Sequence, residues 1–249
     1  MRGRRSAARG GNLCRAVSGG VLFFLCCCSE KPPAGPGEFV RCLQEALASR
    51  DLGQVMLWID GGYQDSLGGR GRLEDDLRQL ITVYGQLQLR HRDLMLQDNS
   101  LQAFLELESP RLRYSGPQRL GVGKNASGWT ISSGVLEGLR GILDTLRERR
   151  LALEEGSIAR MSRVVSEEYR GQVGGKKELL EQLRRDFELG PRALMVDNLA
   201  IEADEQQAQV TASYLLVVLS PDKKLEYRGK ERLVLRYEAG RWRISAGLA

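Results

Sequence analysis

Tyr63 and Tyr169 are the residues whose recurrence most invites a chemical reading. A phenol can donate a hydrogen bond to developing negative charge. It becomes part of a reaction when a carboxylate or imidazole, desolvated in the same pocket, has its pKa raised toward working pH. Partners for such work are few. His91 is the single histidine of the 249 residues, and strand alternation sets it opposite the flanking Arg90 and Arg92, so it can face inward. Asp60 stands near Tyr63, but Ser166 holds the matching place before Tyr169. No acid recurs beside both tyrosines. Tyr63, His91 and Tyr169 are therefore candidate pocket-lining residues, and no catalytic set is assigned. The tyrosine rings are expected to pack the helix–sheet junction with their hydroxyls on backbone partners. A pocket holding a buried Asp or Glu hydrogen-bonded to any of the three would overturn that reading and favour an enzyme.

Other chemistry is excluded more directly. Gly121-Val122-Gly123-Lys124-Asn125 has no Ser or Thr after the lysine and no strand–helix context, so it is not a phosphate loop. No metal-ligand spacing, nucleotide fingerprint or Ser-His-Asp set is visible, and no cofactor is expected. Asn125-Ala126-Ser127 fits a glycosylation sequon. The runs Glu74-Asp75-Asp76, Arg147–Arg150 and Arg184-Arg185-Asp186 read as solvated helix faces.

The remaining reactive cluster is Cys26-Cys27-Cys28. Arg2, Arg4, Arg5, Arg9 and Arg15 precede it without an acidic residue, followed by the apolar run Val21–Leu25. A basic head, a short apolar body and small residues have the layout of a secretory signal peptide. At about a dozen residues the apolar body falls short of the roughly 20 that span a bilayer. Adjacent cysteines lack the spacing that brings two thiolates to one tetrahedral metal. The junction resembles the lipobox of bacterial lipoproteins, with Leu25 in the aliphatic place and Cys28 as the residue to be acylated. Residues 1–27 are then a signal peptide, and Cys28 with the Pro/Gly-rich stretch to Gly37 is a lipidated tether. Five of the 37 Lys and Arg, and none of the 32 Asp and Glu, lie in residues 1–27, so the remainder carries 32 of each. The basic balance belongs to the leader and not to a nucleic-acid-binding face. Cys42 falls in a helical pattern and reads as a small buried hydrophobe.

Helices and strands that would position the tyrosines occur twice. Tyr63, Gly68, Gly69, Leu73, Leu77 and Arg78 recur with identical spacing as Tyr169, Gly174, Gly175, Leu179, Leu183 and Arg184. Upstream, Leu52 and Val55 match Ile158 and Met161 at the same offset. Gly128–Gly134 is matched by Arg241–Gly247, which aligns Trp129 with Trp242. Self-similarity of this kind indicates a tandem duplication, with units at residues 38–138 and 139–249. In the second unit Leu139, Ile142, Leu143 and Leu146 form a helical stripe. A helix around Ser157–Val165 takes Ser157 as N-cap, and Leu179, Leu180, Leu183 and Phe187 line another. The period then switches to two. Ala208–Leu219, Leu225–Glu238 and Trp242–Ala246 are strands, with a turn at Pro221-Asp222.

Helices followed by antiparallel strands give an α+β class, with N-terminal helices packed on a curved sheet in each unit. Three N-terminal helices, a Tyr near the end of the second, a Gly-rich break and a long hairpin sheet ending in Gly240-Arg241-Trp242-Arg243-Ile244 resemble the nuclear transport factor two-like superfamily. This is the cystatin-like cone shared with ketosteroid isomerases and polyketide cyclases. The resemblance implies a cavity between helices and sheet, served in the enzymes by an Asp base, a Tyr or Asp oxyanion donor, or an Asp-His pair. Two departures follow for this chain. Ser109–Ser127 is rich in Arg, Gly and Pro, so the first sheet is expected to be short or irregular. The two sheets are expected to be separate, packed on each other or on a partner, over pockets lined mainly by Leu, Val, Ile and Tyr; a single continuous sheet through both halves would count against the duplication.

The sequence therefore points to a lipoprotein of the bacterial cell envelope, at the outer membrane facing the periplasm or the cell surface. It would act as a non-catalytic binding or interaction module, with a hydrophobic small ligand or an envelope protein as partner. The alternative is a pocket enzyme of the isomerase, dehydratase or cyclase kind. Expressed with its own leader in a Gram-negative host, the protein should partition into detergent and carry an acylated cysteine at its new N-terminus by mass spectrometry. Membrane association that survives replacing Cys26, Cys27 and Cys28 together by Ala would refute the anchor.

Overall fold

Hydrophobic period decides the elements in both halves. The computed structural model describes residues 35–125, 128–220 and 223–248. Cys26, Cys27, Cys28, the Ala126-Ser127 part of the sequon and the Pro221-Asp222 turn lie outside the described residues. Helix α1 (Pro36–Ser49) buries Phe39, Val40, Leu43 and Leu47 on one stripe, with Cys42 beside them. Helix α2 (Leu52–Leu57) is capped by Asp51, whose Oδ1 accepts the Gln54 amide at 3.2 Å. The short pair β1 (Gln64–Asp65) and β2 (Gly68–Gly69) leads into α3 (Arg70–Tyr84). Strands β3 (Gln88–Gln97), β4 (Ser100–Glu108), β5 (Leu112–Asn125) and β6 (Gly128–Ser133) complete the first half.

The second half repeats that order. Helices α4 (Glu137–Glu154), α5 (Ile158–Val164) and α6 (Lys176–Phe187) precede β7 (Arg192–Ala203), β8 (Gln207–Ser220), β9 (Lys223–Glu238) and β10 (Arg241–Ala246). Ser157 does cap α5, its Oγ accepting the Arg160 amide at 3.2 Å. The class is α+β, with helices packed on a curved sheet whose neighbours are antiparallel except at one seam.

That seam corrects the expectation of two separate sheets. Leu112–Ser115 of β5 pairs in parallel with Leu199–Glu202 of β7, giving one eight-stranded sheet in the order β10-β9-β8-β7-β5-β4-β3, with β6 also on β5. The halves therefore join edge to edge, not face to face. Leu112, Tyr114, Leu199 and Ile201 are all buried, and placing these strands side by side lets α4 cover their apolar residues together. A bulge in β7 between Asp197 and Ala200, with Asn198 at φ +53°, turns the strand toward its neighbour.

The first sheet is also not short. β5 runs fourteen residues because the period of two persists beneath its polar composition: Leu112, Tyr114, Gln118, Leu120 and Val122 are buried. The Val122 amide donates to Asn99 O at 2.8 Å on the β4 side, so alternation puts the Pro117 nitrogen on the other edge. That edge has no strand partner between Ser115 and Gly121, and the missing N–H costs no ladder bond.

Each half closes on a glycine after its last strand. Gly134 (φ +86°) and Gly247 (φ +94°) leave only 2.1 Å and 2.0 Å between a built Cβ and the carbonyl oxygens of Arg119 and Arg232. Gly247→Ala should therefore lose clearly more than the about 1 kcal/mol expected of a left-handed alanine. Gly240→Ala, at φ +80° but with nothing within 4 Å, should show that conformational cost alone. Chemical denaturation of both variants separates the contact from the strain, and equal losses would contradict the packing.

Candidate functional site

The turns after α2 and α5 position the two recurring tyrosines by the same hydrogen bonds. The Asp60 amide donates to Ile131 O at 2.8 Å, and the Ser166 amide to Ile244 O at 2.9 Å. Asp60 Oδ1 accepts the Gly62 amide at 2.7 Å, while Ser166 Oγ accepts the Glu168 amide at 3.0 Å. Asp60 and Ser166 are thus two versions of one turn-forming side chain. The tyrosines then reach the residue after the closing glycine of their own half. Tyr63 Oη accepts the Val135 amide at 3.0 Å, and Tyr169 Oη donates to Leu248 O at 2.6 Å.

Beyond that point the halves differ. Tyr63 Oη donates to Asp65 Oδ2 at 2.5 Å, and the Asp65 side chain is fully buried. A buried carboxylate in contact with a recurring tyrosine is the feature that would favour an enzyme, and the sequence reading passed over it. Two residues apart on an extended segment, Tyr63 and Asp65 share a side, and that spacing was the available signal. In the second half Gly171 stands where Asp65 would be. A Cβ there would lie 2.2 Å from Tyr169 Oη, so the phenol itself excludes the acid.

The surroundings of Asp65 determine its chemistry. Oδ1 accepts the amides of Leu67 at 2.9 Å and Gly68 at 3.0 Å. Oδ2 accepts Tyr63 Oη and Arg140 Nη1, the latter at 2.6 Å. All of the roughly four acceptor positions of a carboxylate are filled. Arg140, on α4, is itself buried. Its Nε donates to Asp76 Oδ2 at 3.0 Å and its Nη1 to Val135 O at 3.2 Å. Asp76 continues the chain to Arg72 at 2.8 Å, Arg72 to Asp144 at 2.9 Å, and Asp144 to Arg147. Two of the charge runs expected to be solvated faces are corrected here: Asp76 belongs to this network, and Arg149 is buried in a two-pronged pair with Glu231 at 2.9 Å and 2.7 Å.

His91 stays apart from this network. It lies at the edge of the sheet on the α1 side, exposed, with Nδ1 3.2 Å from Gln44 Nε2. The structure thus brings Tyr63 together with Asp65 and Arg140, and leaves Tyr169 and His91 separate. None of the three candidates lines either of the large cavities. Inside the first cone, between α1 and β3–β5, only about 10 Å³ remains among Val40, Leu43, Leu101, Leu105 and Leu120. The space lies instead along α4, at the seam. A cleft of about 850 Å³ opens where β5 leaves β7, beside Tyr114, Gly138, Gly141, Arg119 and Trp242. A second cavity of about 490 Å³ lies between α3, α4 and β7. The expectation of pockets lined mainly by Leu, Val, Ile and Tyr is not met: the larger cleft is mostly polar, and the second mixes Leu and Val with several charged residues. Among the described residues no His/Cys/Asp/Glu group could hold a metal, and no helix is long and apolar enough to cross a membrane.

The phenols record how dry these positions are. Burial pushes Tyr63 above the ordinary tyrosine value, helped by its hydrogen bond to Asp65 and the charge there. Burial alone does so for Tyr114. For Tyr169 burial outweighs the hydrogen bond to Leu248. A folded-state value above the unfolded one of about 10 means the neutral phenol is favoured by folding. The stability these groups contribute is complete below that pH and is lost as pH rises through the folded-state values. Unfolding free energy should therefore fall steeply above about pH 10, and more shallowly when Tyr63, Tyr114 and Tyr169 are all replaced by Phe. Identical alkaline slopes in denaturant titrations would contradict the assignment.

No protein-family model matches the sequence, and no curated protein matches it. Among solved structures the chain is similar to a nuclear transport factor 2-like superfamily protein from Salmonella enterica. The identity is 14%, with 45% of this chain and 87% of that one covered and a TM-score of 0.40. A candidate dehydratase of the nuclear transport factor 2-like family from Streptomyces avermitilis aligns at 11% identity over 44% and 92% of the chains, with a TM-score of 0.41. A protein of unknown function with a cystatin-like fold from Nostoc punctiforme aligns at 12% identity over 43% and 85%, with a TM-score of 0.37.

Proposed function

We propose that this chain is a lipid-anchored envelope protein, built from two copies of one cystatin-like unit, that binds a small apolar or amphiphilic ligand without transforming it. One observation carries the non-catalytic part: every acceptor position of Asp65, the buried acid beside a recurring tyrosine, is filled by the protein itself. A general base must keep a lone pair for the substrate proton within hydrogen-bond reach, and Asp65 has none to offer. In the second half the same place is a glycine. The binding part rests on the cavities along α4, which are large enough for a ligand and are not filled by side chains. The anchor rests on the Arg-rich head, the apolar run and Cys28. The repeated turn, tyrosine and closing-glycine hydrogen bonds support descent of both halves from one unit.

The second reading, a pocket enzyme, is favoured by the Tyr63–Asp65 contact alone. One experiment separates the two. The full chain, recovered from host membranes in mild detergent, should release a non-covalently bound apolar compound on organic extraction, detected by mass spectrometry. Asp65→Asn should lower stability while sparing that bound compound. Turnover of an enolisable ketone by the native chain, abolished in a folded Asp65→Asn protein, would replace the binding reading with the enzyme.

A further inference from the structure

The cavity between α3, α4 and β7 has an apolar body and a polar mouth. Leu143 and Leu146 of α4 face Leu80 of α3 across it, and Leu194, Val196 and Leu199 of β7 close it from below. Its volume, about 490 Å³, falls within the roughly 300–1,000 Å³ of small-molecule sites. It exists because the halves are joined as they are, since α3 belongs to one and α4 and β7 to the other.

Charge on its lining is almost fully spent. Asp76 is paired with Arg140 at 2.9 Å, Asp144 with Arg72 at 2.9 Å, Asp197 with Arg111 at 2.8 Å and Glu231 with Arg149 at 2.7 Å. Arg150 alone among the lining charges has no ion-pair partner among the described residues. Tyr84 also lines the cavity, and its hydroxyl makes no hydrogen bond among the described residues. Both Arg111 and Arg150 act electrostatically on that phenol, so the three polar groups gather at one end. An apolar channel ending in an unpaired guanidinium and an unused phenol complements one kind of molecule.

We infer that this seam cavity holds a single-chain amphiphile with an anionic head, the alkyl chain lying among the leucines and the carboxylate on Arg150 and Tyr84. The inference rests on the ligand-binding reading above and assigns it a site and a chemistry. Arg111, already held by Asp197 and Val83 O, keeps that rim in place. A guanidinium suits a carboxylate because its planar fork offers two parallel donors.

Dodecanoate, titrated calorimetrically into the full chain below its micellar concentration, should bind one molecule per chain. Decanoate should bind more weakly, by about three- to fourfold for each methylene removed. Dodecanol should bind at least about tenfold more weakly than dodecanoate, and Arg150→Ala should erase that difference without disturbing the fold, since Arg150 is exposed. Val83→Trp, at a lining residue 40% exposed, should block the channel and abolish binding of both. Equal affinity for dodecanol and dodecanoate would overturn the anionic head. Binding untouched by Val83→Trp would overturn the site. If compound extracted from the native protein persists in Val83→Trp, ligand binding stands and only this location fails. If nothing is extracted and dodecanoate does not bind, both fail.

Discussion

Arg140 carries the junction between the halves. It is rooted on α4, the first helix of the second half, yet both carboxylates that hold it, Asp65 and Asp76, belong to the first. Placing three charges out of water costs several kcal/mol per ion unless geometry and hydrogen bonding are complete. For Asp65 they are, while Arg140 Nη2 meets Asp76 Oδ2 at 2.9 Å as an ion pair without a hydrogen bond. The outward continuation through Arg72, Asp144 and Arg147 has side chains roughly a third exposed, where an ion pair is worth about 0–1 kcal/mol. The buried end therefore sets the position of α4, and the exposed end adds little beyond it. With α4 fixed against the first half, the adjacency of β5 and β7 follows. The helix must cover Leu112, Tyr114, Leu199 and Ile201, and one helix can do so only if the two strands lie together.

A single local device was put to two uses. In both halves a turn made by Asp60 or Ser166 delivers a tyrosine to the backbone just past a closing glycine. In the second half the hydroxyl donates to a carbonyl, and the contact is complete with one bond. In the first half the hydroxyl accepts an amide, which leaves its proton to place, and Asp65 takes it. The carboxylate that accepts the phenol proton is a buried charge, and Arg140 neutralises it from across the junction. The polarity of one hydrogen bond thus separates a tether within one half from a clamp between the halves.

Periodicity made the elements and their repetition legible. The Ser157 cap, the helical stripes and the alternation of β9 all depend on near neighbours in sequence. What stayed hidden depends on distant ones. Arg140 and Arg149 look like any arginine of a charged helix until Asp65 and Glu231 are brought to them. Asp76 looks like one of three exposed acids in a row. The strand character of Leu112–Asn125 was masked because Gly116, Pro117 and Gly121 fill positions where composition argues for a loop. Each is tolerated for a tertiary reason. A Cβ at Gly116 would lie 2.6 Å from the Tyr114 hydroxyl and one at Gly121 2.3 Å from Ser133 Oγ, while Pro117 faces an edge without a partner. Of these only the Tyr114 contact is local; Ser133 and the open edge at Pro117 depend on distant parts of the chain.

The same joint explains why empty space lies beside α4 and not within the first cone. Sheets twist by roughly 20–25° per strand pair, so two curved sheets joined over four residue pairs must diverge beyond the seam. β5 gives up β7 after Ser115 and gains β6 only at Gly121, and the interval opens the larger cleft. On the other side of α4, a second cavity remains between α3, α4 and β7. A cone closes on its own apolar residues; a joint between cones has its geometry dictated by the ion pairs that hold it. In the cavity between α3, α4 and β7 those pairs leave no free acid, because Asp76, Asp144, Asp197 and Glu231 are each paired with an arginine. Shape and an occasional unmatched cation are what such a seam retains, and they suit holding a molecule better than changing one.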